Sequence, residues 1–317
     1  MKKIVVLGGG TGLSILLRGL KQFPLDITAI VSVADDGSSS GRLREEFDIF
    51  AVGDLRNVLV SLSEVEPLIE ELLQYRFTTD SSLNNHPMGN LLLAALYNIT
   101  GNLTESLVSL SKIFNIKGRI LPFTEDNPVL VAHTKDGNTI EGETKITKAG
   151  KKIDYIEYKE EVKPTKEVLK ALEEADLIIL GIGSLYTSII PNLLSDEVKD
   201  TLKKSKAKKM YVCNIMSEHG ETDGYKVSDC IKKINSYVEE NFIDTVLVNS
   251  TKIPEDIKIR YLKEEACPIE VDYQNLEKMN IEVLEDELLE IDNEMVRHNP
   301  YRTALAIFNY IVKELKQ

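Results

Sequence analysis

Short, continuous apolar runs recur along this chain, each closing on glycine or polar residues, with helical patterns between them. They are Ile4–Leu7, Ile27–Val33, Leu177–Leu180, Met210–Cys213 and Thr245–Val248. Strands that are apolar throughout and separated by helices predict a parallel sheet covered on both faces. The roughly twenty residues between the first two runs hold one helical pattern, Ile15–Leu20, the size of a crossover connection. A long helical region follows from Leu55 through Leu110, and within it Leu91–Leu96 is apolar nearly all round, which predicts a buried helix. The stretch Lys117–Val162 breaks the rhythm. Pro122 and Pro128 interrupt it, and Lys135-Asp136-Gly137-Asn138 separates two alternating runs, a hairpin signal. From Glu277 the chain is acidic and ends in a helical pattern, Thr303–Leu315. No repeat, low-complexity tract or Ser/Gly linker marks a boundary. The reading is a single α/β domain over residues 1–317, a doubly wound, mostly parallel sheet with a small β-rich insertion at residues 117–162.

Composition narrows the partners. With 317 residues, 43% of them hydrophobic, the chain can bury the core of a large domain. A net charge of −13 argues against nucleic acid, which needs a concentrated basic surface. The basic run Lys203–Lys209 lies between a helix and a strand and reads as a solvated helix end. Cys213, Cys230 and Cys267 stand far apart without CxxC spacing, which speaks for a reducing compartment and against a zinc or disulfide framework. Lys2-Lys3 imitates the start of a signal peptide, but Gly8 interrupts the apolar run and Arg18 closes it without a small-residue cleavage site. No window approaches a membrane span. The expectation is a soluble, cytoplasmic protein without nucleic-acid or membrane partners.

The chemistry concentrates where strands end. After Ile4–Leu7 comes Gly8-Gly9-Gly10-Thr11-Gly12-Leu13-Ser14, a tight turn into a helix, where bare N–H groups and a positive dipole end favour phosphate. Dinucleotide enzymes place glycine first, third and sixth. Here the sixth is Leu13, and Gly12 comes one position early. The run Leu180-Gly181-Ile182-Gly183-Ser184 repeats the same physics in the other half of the sheet. Two such turns meeting where strand order reverses would form a ligand crevice. Between them lie Asp35-Asp36-Gly37-Ser38-Ser39-Ser40-Gly41-Arg42-Leu43-Arg44, whose hydroxyls and guanidinium forks suit an anion, while the aspartates suit a divalent cation or a substrate hydroxyl. The bland account is a helix cap with solvated arginines. Asp54, in Gly53-Asp54-Leu55-Arg56-Asn57, reads equally as an N-cap or a catalytic group. Arg56 and Asn57, in that helix's first turn, fit an anion nearby. His86 and Asn90 open the Leu-rich helix, where His86 is a structural residue or a base. Asn214 can read a base or sugar edge, and His219 with Glu221 matches a metal pair only loosely. No nucleophile–base arrangement points to covalent catalysis.

Taken in order, Gly8–Ser14, Ala34–Arg44, Gly53–Asn57, His86–Leu92, Gly183–Leu194 and Tyr211–Met216 resemble the YvcK branch of the CofD-like superfamily, the gluconeogenesis factor family. The likeness spans nearly the whole chain. It departs where Ser38 replaces a usual glycine and Ala51-Val52 replace usual prolines. The resemblance implies a Rossmann-like core that binds a nucleotide diphosphate. CofD enzymes transfer a phospholactyl group between a guanosine nucleotide and a deazaflavin precursor with magnesium. Members similar to this chain are associated with UDP-sugars, notably UDP-N-acetylglucosamine, and support cell shape and peptidoglycan synthesis under gluconeogenic growth. By that resemblance Thr11 and Gly8–Gly10 meet the diphosphate and Asn214 the nucleotide, while Tyr261 and Arg297 meet the UDP-sugar. Asp35, Asp36 and Asp54 match carboxylates near the transferred group. The expected function is a UDP-sugar-binding regulator with an unidentified protein partner in cell-wall metabolism; a homodimer fits the resemblance. The alternative is a CofD-like, magnesium-using transferase. An NAD-dependent dehydrogenase is opposed by Leu13 and by the Ser/Arg-rich turn after Asp36.

Overall fold

The computed structural model describes residues 1–47, 51–64 and 67–315. Its first unit is β1 (Lys2–Gly8), α1 (Gly10–Leu20) and β2 (Leu25–Val31), with the strands parallel and Ile4 opposite Ile27. Then come α2 (Ser38–Phe47), α3 (Gly53–Leu62), α4 (Pro67–Gln74), α5 (Met88–Thr100) and α6 (Leu103–Ile113), so the long helical region is several helices. Residues 65 and 66 of that region lie outside the described residues. β3 (Arg119–Pro122) pairs in parallel with β2, which puts the first residues of the expected insertion into the main sheet. The separate small sheet consists of β4 (Leu130–Thr134), β5 (Thr139–Glu141) and β6 (Ile153–Tyr158), antiparallel in the order β5–β4–β6. Helix α7 (Glu143–Ala149) lies between β5 and β6. The Asp136-Gly137 turn joins β4 to β5, as the hairpin signal indicates.

α8 (Lys166–Glu174) precedes β7 (Leu177–Leu180), after which a glycine turn feeds a wide helical turn, Leu185–Ile189, and a tight one, Ile190–Leu193. The chain continues through α9 (Asp196–Lys204), β8 (Lys208–Val212), α10 (Val227–Val238), β9 (Thr245–Asn249), α11 (Glu255–Lys263) and α12 (Tyr273–Lys278). It ends with β10 (Glu282–Asp286), the hairpin β11 (Leu289–Asp292) and β12 (Met295–His298), and α13 (Pro300–Glu314). The main sheet has the order β10–β9–β8–β7–β1–β2–β3, and all its pairs are parallel. Order reverses between β7 and β1, so a crevice opens beyond their carboxyl ends. Alternate residues of each strand feed two cores. Ile4 and Val6 meet Leu13, Leu16 and Leu17 of α1 in one, while Val5 and Leu7 join Ile231 and Ile234 of α10 in the other.

Two sequence expectations change. α5 is only partly buried: Leu93 and Ala94 are enclosed, whereas Ala95 and Ile99 are exposed, because the helix packs on α2, α3, α4 and α6 in an outer layer. β10 escapes notice in the sequence because Glu282, Glu285 and Asp286 surround Val283 and Leu284, the mixed composition of a sheet edge. No helix among the described residues is long and apolar enough to cross a membrane.

Candidate functional site

β1 delivers the chain to Gly9 in extended conformation and to Gly10 at φ +65°, a left-handed value that glycine adopts without strain. The second turn packs directly on the first: a Cβ on Gly12 would collide with the Ile182 carbonyl. Glycine at 12 is therefore a demand of turn-on-turn contact.

Each turn carries an internal partner. The Gly10 N–H donates to Asp54 Oδ2 at 2.6 Å. Asp54 lies in the first turn of α3, yet its carboxylate serves the start of α1. In the second turn the Gly183 N–H donates to Asn214 Oδ1 at 3.3 Å, and Asn214 Nδ2 donates to the Gly183 carbonyl at 2.8 Å. The Tyr186 N–H and the Thr187 hydroxyl donate to Glu221, at 2.8 and 3.2 Å, and the Ser184 hydroxyl donates to Glu218 at 2.5 Å. The N–H groups of Thr11 and Gly12, in the first turn of α1, have no intrahelical acceptor. They are the amides left for an anion.

A cavity of about 400 Å³ opens at these amides. Of the sequence candidates it gathers Gly9, Gly10, Thr11, Gly12, Gly183, Ser184, Asn214, Tyr261 and Arg297. Tyr261 and Arg297 arrive from α11 and β12, and the Tyr261 hydroxyl accepts the Val296 N–H at 2.8 Å, tying helix to hairpin. The neighbouring His298 donates from Nε2 to the Cys213 carbonyl at 3.1 Å, which joins β12 to the end of β8. Burial pushes this imidazole down to about 4, so it is neutral at pH 7. Arg297 touches the Met295 sulfur at 3.5 Å and pairs with no carboxylate among the described residues.

The other candidates sit elsewhere. Gly8 ends β1 and Gly181 follows β7, and neither lines the cavity. Asp35 accepts the Gly37 N–H at 2.8 Å, and Asp36 accepts the Thr144 N–H at 2.7 Å, which fixes α7 to the main sheet. Arg44 donates to the Pro128 carbonyl at 2.7 Å and Arg42 to the Asn84 carbonyl at 2.7 Å, so both arginines brace distant loops. Ser39 links His86 and Asn90, each at 3.0 Å. Arg56 is buried and donates to Asn57 Oδ1 at 2.6 Å, while its Nε and Asn90 Oδ1 have no hydrogen-bond partner among the described residues. His219 faces Asp223 and Glu265 whereas Glu221 turns inward, so the two do not converge.

Sequence reading passed over Glu143. Burial, followed by Asp54, Asp35 and Asp36, holds its carboxyl well above the ordinary range. Burial and then Asp35 likewise lift Asp54 to about 7, against pulls from the Gly10 N–H and Arg56. Burial and then Glu218 lift Glu221 to about 8. Glu143 carries no sequence signal, because only the fold of the insertion brings it to β2 and α3. Among the described residues no three His, Cys, Asp or Glu side chains converge to hold a metal unaided, whereas magnesium on a phosphorylated ligand takes only one or two protein carboxylates.

Comparison with known proteins agrees with this architecture. The family model described as 2-phospho-L-lactate transferase CofD matches residues 4–289. A Bacillus subtilis protein named gluconeogenesis factor is 47% identical over 310 residues, covering 98% of each chain. A putative gluconeogenesis factor of Thermotoga maritima is 46% identical, covering 96% of this chain and 98% of that one. A crystal structure of a Bacillus halodurans protein superimposes with a TM-score of 0.93 at 45% identity, covering 97% of this chain and 99% of the other. With near full-length identity and a matching fold in hand, the chain belongs to the CofD-like superfamily and, within it, to the gluconeogenesis factors.

Proposed function

We propose that this chain is a UDP-sugar-binding regulatory protein that binds UDP-N-acetylglucosamine or a close relative without turnover. One observation carries the reading. The cavity at the strand-order reversal joins helix-start amides, at Thr11 and Gly12, to a tyrosine ring and an arginine that among the described residues has no carboxylate partner. Amides and a guanidinium are the donors a diphosphate needs, and a phenol ring offers a face to a sugar or base. Asp54, Glu221 and Asn214 hold the two turns in place without ligand, so binding meets a formed site. The occupied cleft, in this reading, is recognised by a protein partner in cell-wall precursor metabolism and supports cell shape under gluconeogenic growth, in the cytoplasm.

Calorimetry against a panel of nucleotide sugars tests it. UDP-N-acetylglucosamine is expected to bind at one site, and absence of binding by any UDP-sugar refutes the reading. The Asp54 carboxyl, bonded to the first turn and lifted to about 7, and the raised carboxyl of Glu143 favour a second reading, a CofD-like group transferase. Incubation with UDP-N-acetylglucosamine and magnesium separates the two: sustained release of UDP establishes the transferase.

A further inference from the structure

A groove of about 360 Å³ runs between the end of β6 and the start of α9, sharing no lining residue with the glycine-turn cavity. One wall is the edge of the small sheet. In the order β5–β4–β6, strand β6 has β4 on one side and no strand on the other. Residues of an antiparallel pair point their backbone groups alternately toward and away from the partner strand. The Lys159 N–H donates to the Val129 carbonyl at 2.9 Å, Leu130 lies opposite Tyr158, and the Leu130 carbonyl accepts from Gly142 on the β5 side. The N–H and C=O groups of Ile156 and Tyr158 therefore point away from β4.

A row of unpaired strand N–H and C=O groups is a template for another chain, so folds tend to cover it. The first half of this edge is covered. The Ile153 N–H donates to the Gly220 carbonyl at 3.1 Å, the Lys233 ammonium to the Asp154 carbonyl at 2.9 Å, and the Ile156 N–H to the Tyr237 hydroxyl at 2.7 Å. The second half is open. The Ile156 carbonyl and both backbone groups of Tyr158 have no hydrogen-bond partner among the described residues. Both residues line the groove, together with the apolar side chains of Val162 and Leu194. Its rim is acidic. Glu157 meets His133 and Asp196 meets Lys199, each at 2.8 Å. Glu160, Glu161 and Glu197 have no ion-pair partner among the described residues, against one ammonium without a partner, Lys163. The dipole of α9 accounts for Asp196 and Glu197 in its first turn. It does not account for Glu160 and Glu161, which follow the open end of β6.

We propose that the open half of β6 takes an extended, lysine- or arginine-bearing segment of a partner protein as a fourth strand of the small sheet. Main-chain hydrogen bonds to Ile156 and Tyr158 supply the affinity of such strand addition, and its alternate side chains supply the selectivity. Here the carboxylates of Glu160 and Glu161 select cationic ones. The inference does not depend on the sugar-nucleotide reading, because the two surfaces have no residue in common.

The probe is a capped, fluorescent octapeptide of alternating Lys and Val, titrated into the full chain by anisotropy and located by hydrogen exchange. Binding is expected, with exchange slowed in 156–163. The same peptide methylated on the backbone nitrogens of its four central residues keeps the charge and loses the strand edge. It is expected to bind about tenfold or more weaker. The double variant Glu160→Lys, Glu161→Lys is expected to weaken the unmethylated peptide to a similar degree. Both positions are exposed, so the fold survives the reversal, and an unchanged melting temperature checks this. Equal affinity for the two peptides would reveal only attraction of cations to a chain of net charge −13, and overturns the proposal. So does protection outside the groove, or no binding of the alternating peptide to wild type.

Discussion

Asp54 and Glu221 act as internal acceptors, one taking the Gly10 N–H and the other the Tyr186 N–H, while Asn214 clasps the Gly183 peptide from both sides. The amides of both turns are thus partly used within the fold, and in the function proposed above ligand recognition falls on Thr11, Gly12 and Arg297. Arg297→Ala should lower UDP-sugar affinity about tenfold or more, the value of a charge-assisted hydrogen bond. Thr11→Ala should lower it less. Both should leave the melting temperature of the free protein nearly unchanged, because neither side chain holds the core. Asp54 gives a pH signature. Its carboxyl titrates at about 7 in the fold against an ordinary 3.8. An acid raised on folding weakens the folded state as pH climbs from about 4 to about 7, and the loss is complete above that. Asp54→Asn keeps an acceptor for Gly10 and removes the buried charge. Its gain in melting temperature over wild type should be larger at pH 8 than at pH 5, and equal gains at the two pH values would count against the enclosed carboxyl.

Among elements, the C-terminal hairpin matters most, since β12 brings Arg297 to the cavity and His298 fastens that strand to β8. His298→Ala should raise hydrogen exchange across 289–298 and weaken UDP-sugar binding while exchange in β1 and α1 stays as it was. Exchange unchanged in the hairpin would show that the Tyr261 contact alone suffices. This part of the molecule was the least legible in the sequence. β10 to β12 are short, β10 and β11 are rich in Glu and Asp, and Asn293 and Glu294 take left-handed turn conformation, so no alternation stands out. By contrast, β1, β2, β7, β8 and β9 were readable as continuous apolar runs, because strands buried on both faces admit little else. The first glycine turn was readable for the same kind of reason, and Gly9 to Gly12 do line a cavity. What one chain segment cannot announce is a partner supplied by another. Asp36 reads in the sequence as a ligand carboxylate, and its bond to the Thr144 N–H of the insertion had no sequence signal; Glu143 gave none either.

At the scale of the whole molecule, the last helix closes the core on the site's face of the sheet. α13 lies so near α1 that a Cβ on Gly19 would collide with the Pro300 carbonyl, and Ala304 and Ile307 join the core there. Gly19→Ala should therefore lower the melting temperature by about 5 °C or more through overpacking. A shift within about 1 °C would mean that α13 docks more loosely than its contacts indicate. Both glycine turns, the hairpin and α11 converge on one cleft, and the cleft is where the account stands or falls. The most direct measurement is calorimetric titration of UDP-N-acetylglucosamine into the wild-type chain and into Arg297→Ala. The account predicts one equivalent bound by wild type and affinity reduced about tenfold or more in the variant. Equal affinity in the two chains, or no heat of binding in wild type at any concentration tested, would contradict it.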